Sequence, residues 1–280
     1  MGFFNIFKSK KQKIKETKEK IQKDIKVDFS NFKKITDYIY KKSGIVDLDK
    51  RALTASRLQQ YAKTQEVYNT DEFLNKMQNN IDFYQEILNI ATVNETFFLR
   101  EIKELQWLIE YIKRSNTKLN ILSMPSSSGE EIYSILLMML TNNISLDKVT
   151  IRGYDINSQA IQAAQNGIYD EHSLHKIDPE TKNKYFQKTD EGSYEISNTI
   201  KQHTQFLQKN IFDLKNSSEK YDIILSRNMF IYFDESKRKE ATFIIINMLK
   251  QNGIFIKGHA DNIYEDEKLE KISFGIYKKT

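Results

Sequence analysis

The stretch Val149-Thr150-Ile151-Arg152-Gly153-Tyr154-Asp155-Ile156-Asn157, continuing through Ser158-Gln159-Ala160-Ile161-Gln162-Ala163-Ala164 to Gly167, decides the fold class. Its opening is rich in β-branched and aromatic side chains, as a strand requires, and the acid Asp155 closes the run. Ile161 and Ala164 then recur at helical spacing. The same alternation returns on both sides. Leu119-Asn120-Ile121-Leu122 is a short apolar run, and Gly129 leads into a helix carrying Ile132, Ile135, Leu136 and Met139. Tyr221-Asp222-Ile223-Ile224-Leu225 precedes a helix through Ala241, Ile245 and Leu249. Gly253-Ile254-Phe255-Ile256-Lys257 is a fourth strand, and Ser273–Lys278 reads as a last edge strand. Strand then helix, repeated, predicts a doubly wound α/β sheet over residues 116–280. The rhythm breaks at about residues 180–208, where Tyr185–Lys188 and Ser193–Ile196 flank Asp190-Glu191-Gly192. That segment predicts a small inserted β-hairpin subdomain.

Upstream, residues 28–115 show only helical periodicity. The apolar sets are Phe32, Ile35, Tyr38 and Ile39 before Gly44; Leu53, Leu58 and Tyr61; Phe73, Leu74 and Met77; Phe83, Ile87, Leu88 and Ile90; and Leu105, Leu108, Ile109 and Ile112. An all-helical domain ending near residue 115 is expected. Residues 1–27 form a basic N-terminal extension. Positions 1–26 hold nine lysines against three acids, so this arm carries +6 and the rest of the chain −1, out of a formal net charge of +5. The basic balance therefore belongs to the arm, and the near-neutral body argues against nucleic acid as a partner. Ile14, Ile21 and Ile25, with Phe3, Phe4, Ile6 and Phe7 at the start, suit the arm to membrane-surface contact.

Composition narrows the class further. Hydrophobic residues make up 39% of the chain, enough to build a core. With no cysteine, disulfides, thiolate zinc sites and cysteine nucleophiles are excluded. No apolar run approaches the ~18 residues that would span a bilayer. A cytoplasmic protein is expected.

In an open α/β sheet a ligand sits beyond the carboxyl ends of the strands, where the strand order reverses. The turn after the first strand, Ser123-Met124-Pro125-Ser126-Ser127-Ser128-Gly129-Glu130-Glu131, has one glycine and two carboxylates. A pyrophosphate site wants more glycines and no acids there. The turn suits a cationic ligand without phosphate, and the sulfonium and ammonium groups of S-adenosylmethionine meet that description. Asp155, at the end of the second strand, can accept both ribose hydroxyls of an adenosine ligand. The histidines (His172, His175, His203, His259) form no ligand pattern, so no metal is expected.

The segments NETFFLRE (94–101), SSSGEEIYS (126–134), GYDINSQAIQAAQNGIY (153–169), RNMFIYFD (227–234) and GIFIKGH (253–259) resemble, in order and spacing, the CheR-type chemotaxis receptor O-methyltransferases. The resemblance covers about residues 30–280. It implies a Rossmann-like class I methyltransferase sheet with an N-terminal helical domain and the inserted subdomain. It also implies S-adenosylmethionine as cofactor and S-adenosylhomocysteine as product. At matched positions, Asn94, Thr96 and Arg100 would close over the methionine end of the cofactor, with Arg100 pairing with its carboxylate or orienting the acceptor. Glu131 would lie near the amino end, Asp155 at the ribose, Asn210 and Ile211 near the adenine, and Arg227 and Asn228 in the loop after the fourth strand. Tyr232 would stand beside the transferring methyl, making it catalytic together with Arg100.

The implied substrate is a glutamate on the cytoplasmic helical hairpin of a methyl-accepting chemotaxis receptor, giving a glutamyl methyl ester. The inserted hairpin resembles a subdomain that, in some members, adds a receptor C-terminal peptide as a strand. The family's basic docking helix is matched by Lys50, Arg51, Arg57 and Lys63, although Gln59, Gln60 and Tyr61 stand where further arginines often occur. A monomer recruited to receptor arrays at the inner membrane is expected. The alternative is a non-catalytic S-adenosylmethionine-binding sensor or scaffold on the same fold. A nucleic-acid amino-methyltransferase is disfavoured, because Ser226-Arg227-Asn228-Met229 lacks the Asx-Pro-Pro-aromatic turn.

Overall fold

A computed structural model of the chain describes residues 27–46, 48, 52–92 and 95–280. The basic arm 1–26, Lys50, Arg51 and the expected cofactor residue Asn94 lie outside the described residues. The chain divides into two compact units, one holding Met1–Lys42 with Asp47–Ala91, the other Ser43–Val46 with Thr92–Thr280.

The first unit is helical. Helix α1 (Phe32–Ser43) is followed by α2 (Ala52–Thr64), α3 (Thr70–Asn79) and α4 (Ile81–Ala91). Asn69 caps α3 by accepting from the Glu72 N–H at 3.0 Å, so one of the unpaired amides of the first turn is satisfied. In α2, Thr54, Leu58 and Ala62 recur every fourth residue and are buried, leaving Arg57, Gln59 and Gln60 exposed. Phe73 packs edge-on against Phe29 and Phe83, with ring centroids 5.2 and 5.1 Å apart.

The second unit begins with α5 (Ile102–Arg114) and alternates thereafter: β1 (Leu119–Ser123), α6 (Glu130–Thr141), β2 (Val149–Asp155), α7 (Ser158–Asn166) and β3 (Ile168–Tyr169). Then come α8 (Pro179–Tyr185), β4 (Phe186–Lys188), β5 (Tyr194–Ile196), α9 (Asn198–Lys201) and β6 (Thr204–Gln208). The chain ends through β7 (Tyr221–Ser226), α10 (Glu235–Met248), β8 (Leu249–Lys257), β9 (Leu269–Ser273) and β10 (Ile276–Lys279). The main sheet has the order β6-β2-β1-β7-β8-β10-β9. Its first five strands are parallel, and β10 runs antiparallel to both β8 and β9. The order reverses at β1, so the carboxyl ends of β1, β2 and β7 open onto one crevice.

Successive strand residues explain why both faces are covered. Ile121, Ile223, Leu225, Ile254 and Ile256 join one core cluster with α5, α6 and α7, while Leu122, Ile224 and Phe255 join a second with α10. Continuous apolar strands of this kind are stable only when sandwiched between helices. Gly153 is required where α6 and β6 converge on β2, since a Cβ there would lie 2.6 Å from the Phe206 ring and 2.8 Å from Ile132.

The structure differs from the sequence reading in four places. Helix α5 belongs with the sheet: Leu105, Leu108, Ile109 and Ile112 share a cluster with β1 and α6, so the unit boundary falls at Thr92 rather than near residue 115. The segment expected to end the insertion, Thr204–Gln208, is instead an edge strand of the main sheet, paired in parallel with β2. Only Phe206 of its five residues is buried, which is why it showed no apolar run. The inserted hairpin is a three-stranded sheet, because Ile168–Tyr169 adds to β5. The last edge strand is an antiparallel pair, β9 and β10, turned at Gly275 with φ +72°.

Candidate functional site

The crevice at the strand ends deepens into a cavity with about 1010 Å³ of empty space including its open mouth. Thr96, Arg100, Glu131, Asp155, Asn210, Ile211, Arg227, Asn228 and Tyr232 all line it. Of the expected site residues only Asn94 is absent, being outside the described residues.

Asp155 stands at the carboxyl end of β2 and is 3% exposed. Its Oδ2 accepts the Ser127 N–H and its Oδ1 the Asn157 N–H, both at 2.8 Å. Burial raises its pKa to about 6, against the opposing effect of those amide donors. The carboxylate is thus fixed in place with acceptor capacity left over. Its donors also reveal how the turn after β1 is used. The Ser127 amide is committed to Asp155, that of Ser126 to the Tyr154 carbonyl, and that of Gly129 to the Ser126 carbonyl. Amides spent in this way do not cradle a phosphate. What the turn offers instead is hydroxyl groups. The Oγ atoms of Ser126 and Ser127 are buried, without a partner, on the cavity wall. Unpaired buried hydroxyls cost about 1–3 kcal/mol each, a cost that a polar ligand would relieve.

Glu130 and Glu131, adjacent in sequence, part company at the start of α6 because helical residues diverge by roughly 100°. Glu131 faces the cavity, accepting the Ser123 hydroxyl at 2.8 Å and the Arg227 Nη1 at 2.5 Å. Glu130 turns away from it, 2% exposed, with the Ser128 hydroxyl near both oxygens at 2.9 and 2.8 Å. Burial without a cation raises its pKa to about 7.

Arg227, beyond β7, is almost wholly buried between two acids. It donates to Glu131, to Glu101 Oε2 at 3.3 and 3.2 Å, and to the Arg100 carbonyl. Burial works against its charge, but Glu131 and Glu101 outweigh that and hold its pKa above the ordinary value. The triad of one guanidinium and two carboxylates keeps one net negative charge, which suits an ammonium or sulfonium.

The Arg100 end is held differently. Its Nη1 donates to the Glu95 carbonyl at 2.7 Å, and it forms no ion pair with any described residue. Leu99 and Glu101 on either side are both left-handed, with φ 59° and 49°, and Leu99 N donates to Ser134 Oγ at 2.9 Å. Such strain persists only where the surroundings impose it.

On the opposite wall, Asn210 caps a short turn by accepting the Phe212 N–H at 3.1 Å, with Ile211 4% exposed behind it. Asn228 takes φ 63°, and its amide donates to Asp261 Oδ2 at 2.5 Å. Asp261 also accepts the Gly258 amide at 3.1 Å, tying the loops after β7 and β8 together; burial raises its pKa against these amide donors. Tyr232 lies in the turn Phe230–Tyr232, its carbonyl accepting the Val46 N–H at 3.0 Å.

Sequence reasoning missed Glu101, Ser126, Ser127 and Asp261. The serines were visible in the glycine-poor turn, whereas Glu101 and Asp261 acquire their roles only through loops far apart in sequence. Phe98 and Phe230 are fully buried core residues, and Phe97 is a half-buried part of the cavity lining. His259 does not line the cavity; its Nε2 lies 2.7 Å from Glu104 Oε1.

Residues 94–277 match the family described as CheR methyltransferase, SAM binding domain. A chemotaxis protein methyltransferase of Campylobacter jejuni is 36% identical over 231 residues, covering 82% of this chain and 87% of that protein. Chemotaxis protein methyltransferase 2 of Vibrio cholerae is 32% identical over 277 residues, covering 91% and 95% respectively. The chemotaxis protein methyltransferase of Escherichia coli is 26% identical over 247 residues, covering 85% and 86%.

Proposed function

The chain belongs to the CheR methyltransferase family, and from that premise we propose that it esterifies glutamate side chains on the cytoplasmic helical hairpin of chemotaxis receptors. It is an S-adenosylmethionine-dependent methyltransferase of chemotaxis. Bound in the cavity, S-adenosylmethionine supplies a methyl group on a sulfonium; a C–O bond to the acceptor forms as the C–S bond breaks, leaving S-adenosylhomocysteine and a glutamyl methyl ester.

The chain's own residues are assigned roles by the chemistry each presents. Asp155 accepts the ribose hydroxyls, and the unpartnered hydroxyls of Ser126 and Ser127 lie in the same turn. Asn210 and Ile211 form the adenine wall, and the net negative triad of Glu131, Arg227 and Glu101 receives the amino end. Asn228 shapes the floor, and Thr96 bounds the methionine end, a role the family resemblance also assigns to Asn94. Arg100 offers its remaining N–H groups to a carboxylate, and Tyr232 flanks the methyl path. No general base is needed, since a glutamate acceptor is ionised at pH 7. Catalysis then rests on alignment and exclusion of water.

The observation that carries this reading is the buried Asp155 held by two amides beside a turn whose Ser126, Ser127 and Gly129 N–H groups are already spent. The protein would work in the cytoplasm as a monomer, at receptor arrays, with the basic arm 1–26 contacting the membrane surface. Among the described residues no helix is long and apolar enough to cross a membrane. Incubation with methyl-labelled S-adenosylmethionine and receptor membranes, followed by mild alkali, tests the reaction. Volatile labelled methanol is expected, and a label that survives alkali would overturn ester formation.

A further inference from the structure

The segment between β3 and α8 carries three exposed side chains, His172, His175 and Lys176, of which His175 and Lys176 lie against Phe97 of the cavity lining. Leu174 and Ile177, buried at 1% and 9%, pin this segment to the core, and the Phe98 N–H donates to the Ser173 carbonyl at 3.0 Å. The inserted subdomain is thereby stitched to the loop 95–101, and His172, His175 and Lys176 are left facing solvent. Phe97, which lines the cavity, is where the two segments meet. The Lys176 Nζ lies 4.6 Å from its ring centroid, the Arg100 guanidinium carbon 5.9 Å and the His175 ring 4.9 Å.

Two permanent cations within 6 Å of one ring repel each other. Neither Lys176 nor Arg100 joins an ion pair among the described residues, whereas Lys182 of the same subdomain pairs with Glu171 at 2.6 Å. The ring face offsets part of the repulsion. Uncompensated cations at the mouth of a cavity focus a field that concentrates anions there.

We propose that Phe97, Arg100 and Lys176 form a landing site for the acidic peptide around the acceptor glutamate, with Lys176 a specificity-determining residue outside the cofactor cavity. This deepens the methyltransferase reading and rests on it for the identity of the acceptor. Lys176 attracts the carboxylates flanking the acceptor, Phe97 gives the apolar stem of the glutamate a wall, and Arg100 hands the carboxylate inward. The subdomain thus takes part in selecting the side chain to be methylated. Its charge reaches the site because Leu174 and Ile177 fix the turn that carries it.

The test uses the full chain and a fluorescent helical peptide bearing paired glutamates, with its glutamine counterpart as control. Binding is read by anisotropy, independently of turnover, and S-adenosylhomocysteine affinity is read by calorimetry. Lys176→Glu is expected to weaken glutamate-peptide binding roughly fivefold and Lys176→Arg to restore it, as for one exposed charge pair. The wild-type preference for glutamate over glutamine should shrink at high salt. Cofactor-product affinity should stay unchanged in both variants. Equal peptide binding by wild type and Lys176→Glu would overturn the landing site, as would a loss in Lys176→Glu that is the same for the glutamine peptide. Absence of base-labile methyl transfer by a wild type that still discriminates the peptides would instead sink the reaction assigned above and leave the landing site standing.

Discussion

The floor and the lip of the cavity handle charge in opposite ways. On the floor the charges are buried and partnered: Asp155 takes two amides, and Arg227 is clamped between Glu131 and Glu101. At the lip, Arg100 and Lys176 are cations with no acidic partner among the described residues, arranged around a half-buried ring. Buried charges demand exact partners because desolvation is expensive, so the floor is rigid and preorganised for one ligand. Exposed charges cost little to hold apart and little to change. On the proposed reading, the floor serves a constant cofactor and the lip a variable acceptor.

The contrast breaks most visibly at Arg227. Arg227→Ala leaves Glu101 and Glu131 buried without their cation and should destabilise the protein by about 3–5 kcal/mol in chemical denaturation. A loss below 1 kcal/mol would mean the floor is as tolerant as the lip.

Glu130, which turns away from the cavity, sharpens the comparison by showing a buried carboxyl with no cation. Its folded pKa of about 7 lies above the ordinary 4.5, so the folded state holds a proton that the unfolded chain releases. Stability should consequently fall as pH rises from about 4.5 to 7 and level off above that. Glu130→Gln should flatten this part of the profile and stabilise the protein at pH 8 by up to about 3 kcal/mol. Parallel pH profiles for the two proteins would contradict the buried, unpaired carboxyl.

Asp155→Ala should weaken S-adenosylhomocysteine binding by about 1–3 kcal/mol, the cost of unpaired ribose hydroxyls. The pH dependence carries its own sign. Because the ribose hydroxyls donate to the ionised carboxylate and burial raises that carboxyl to about 6, affinity should fall about tenfold per unit below pH 6 in the wild type. The alanine variant should lack that slope.

The smallest effect is expected at Tyr232. Tyr232→Phe should leave cofactor affinity unaltered and lower turnover several-fold, about 1 kcal/mol for one hydrogen bond. Altered affinity with normal turnover would move Tyr232 from the methyl path to the cofactor wall.

What the sequence revealed follows the same division. The apolar runs of β1, β2, β7 and β8 were legible because each is buried on both faces, and Asp155 was legible as the acid ending one of them. Thr204–Gln208 was not, since an edge strand with one buried residue carries no periodic signal. The turn 123–131 announced a phosphate-free ligand through its missing glycines. That Glu131 faces the cavity while Glu130 turns away was not legible, because the Gly129 start and the Arg227 partner fix the helix rotation. Glu101, Asp261 and Lys176 were silent for a common reason: each acts through a loop that is remote in sequence.

The division of labour between floor and lip is tested most directly by measuring cofactor-product affinity and acceptor-peptide affinity side by side in Asp155→Ala and Lys176→Glu. The account predicts that Asp155→Ala weakens only the first and Lys176→Glu only the second. A single substitution that weakens both equally, or the reverse pattern, would contradict it.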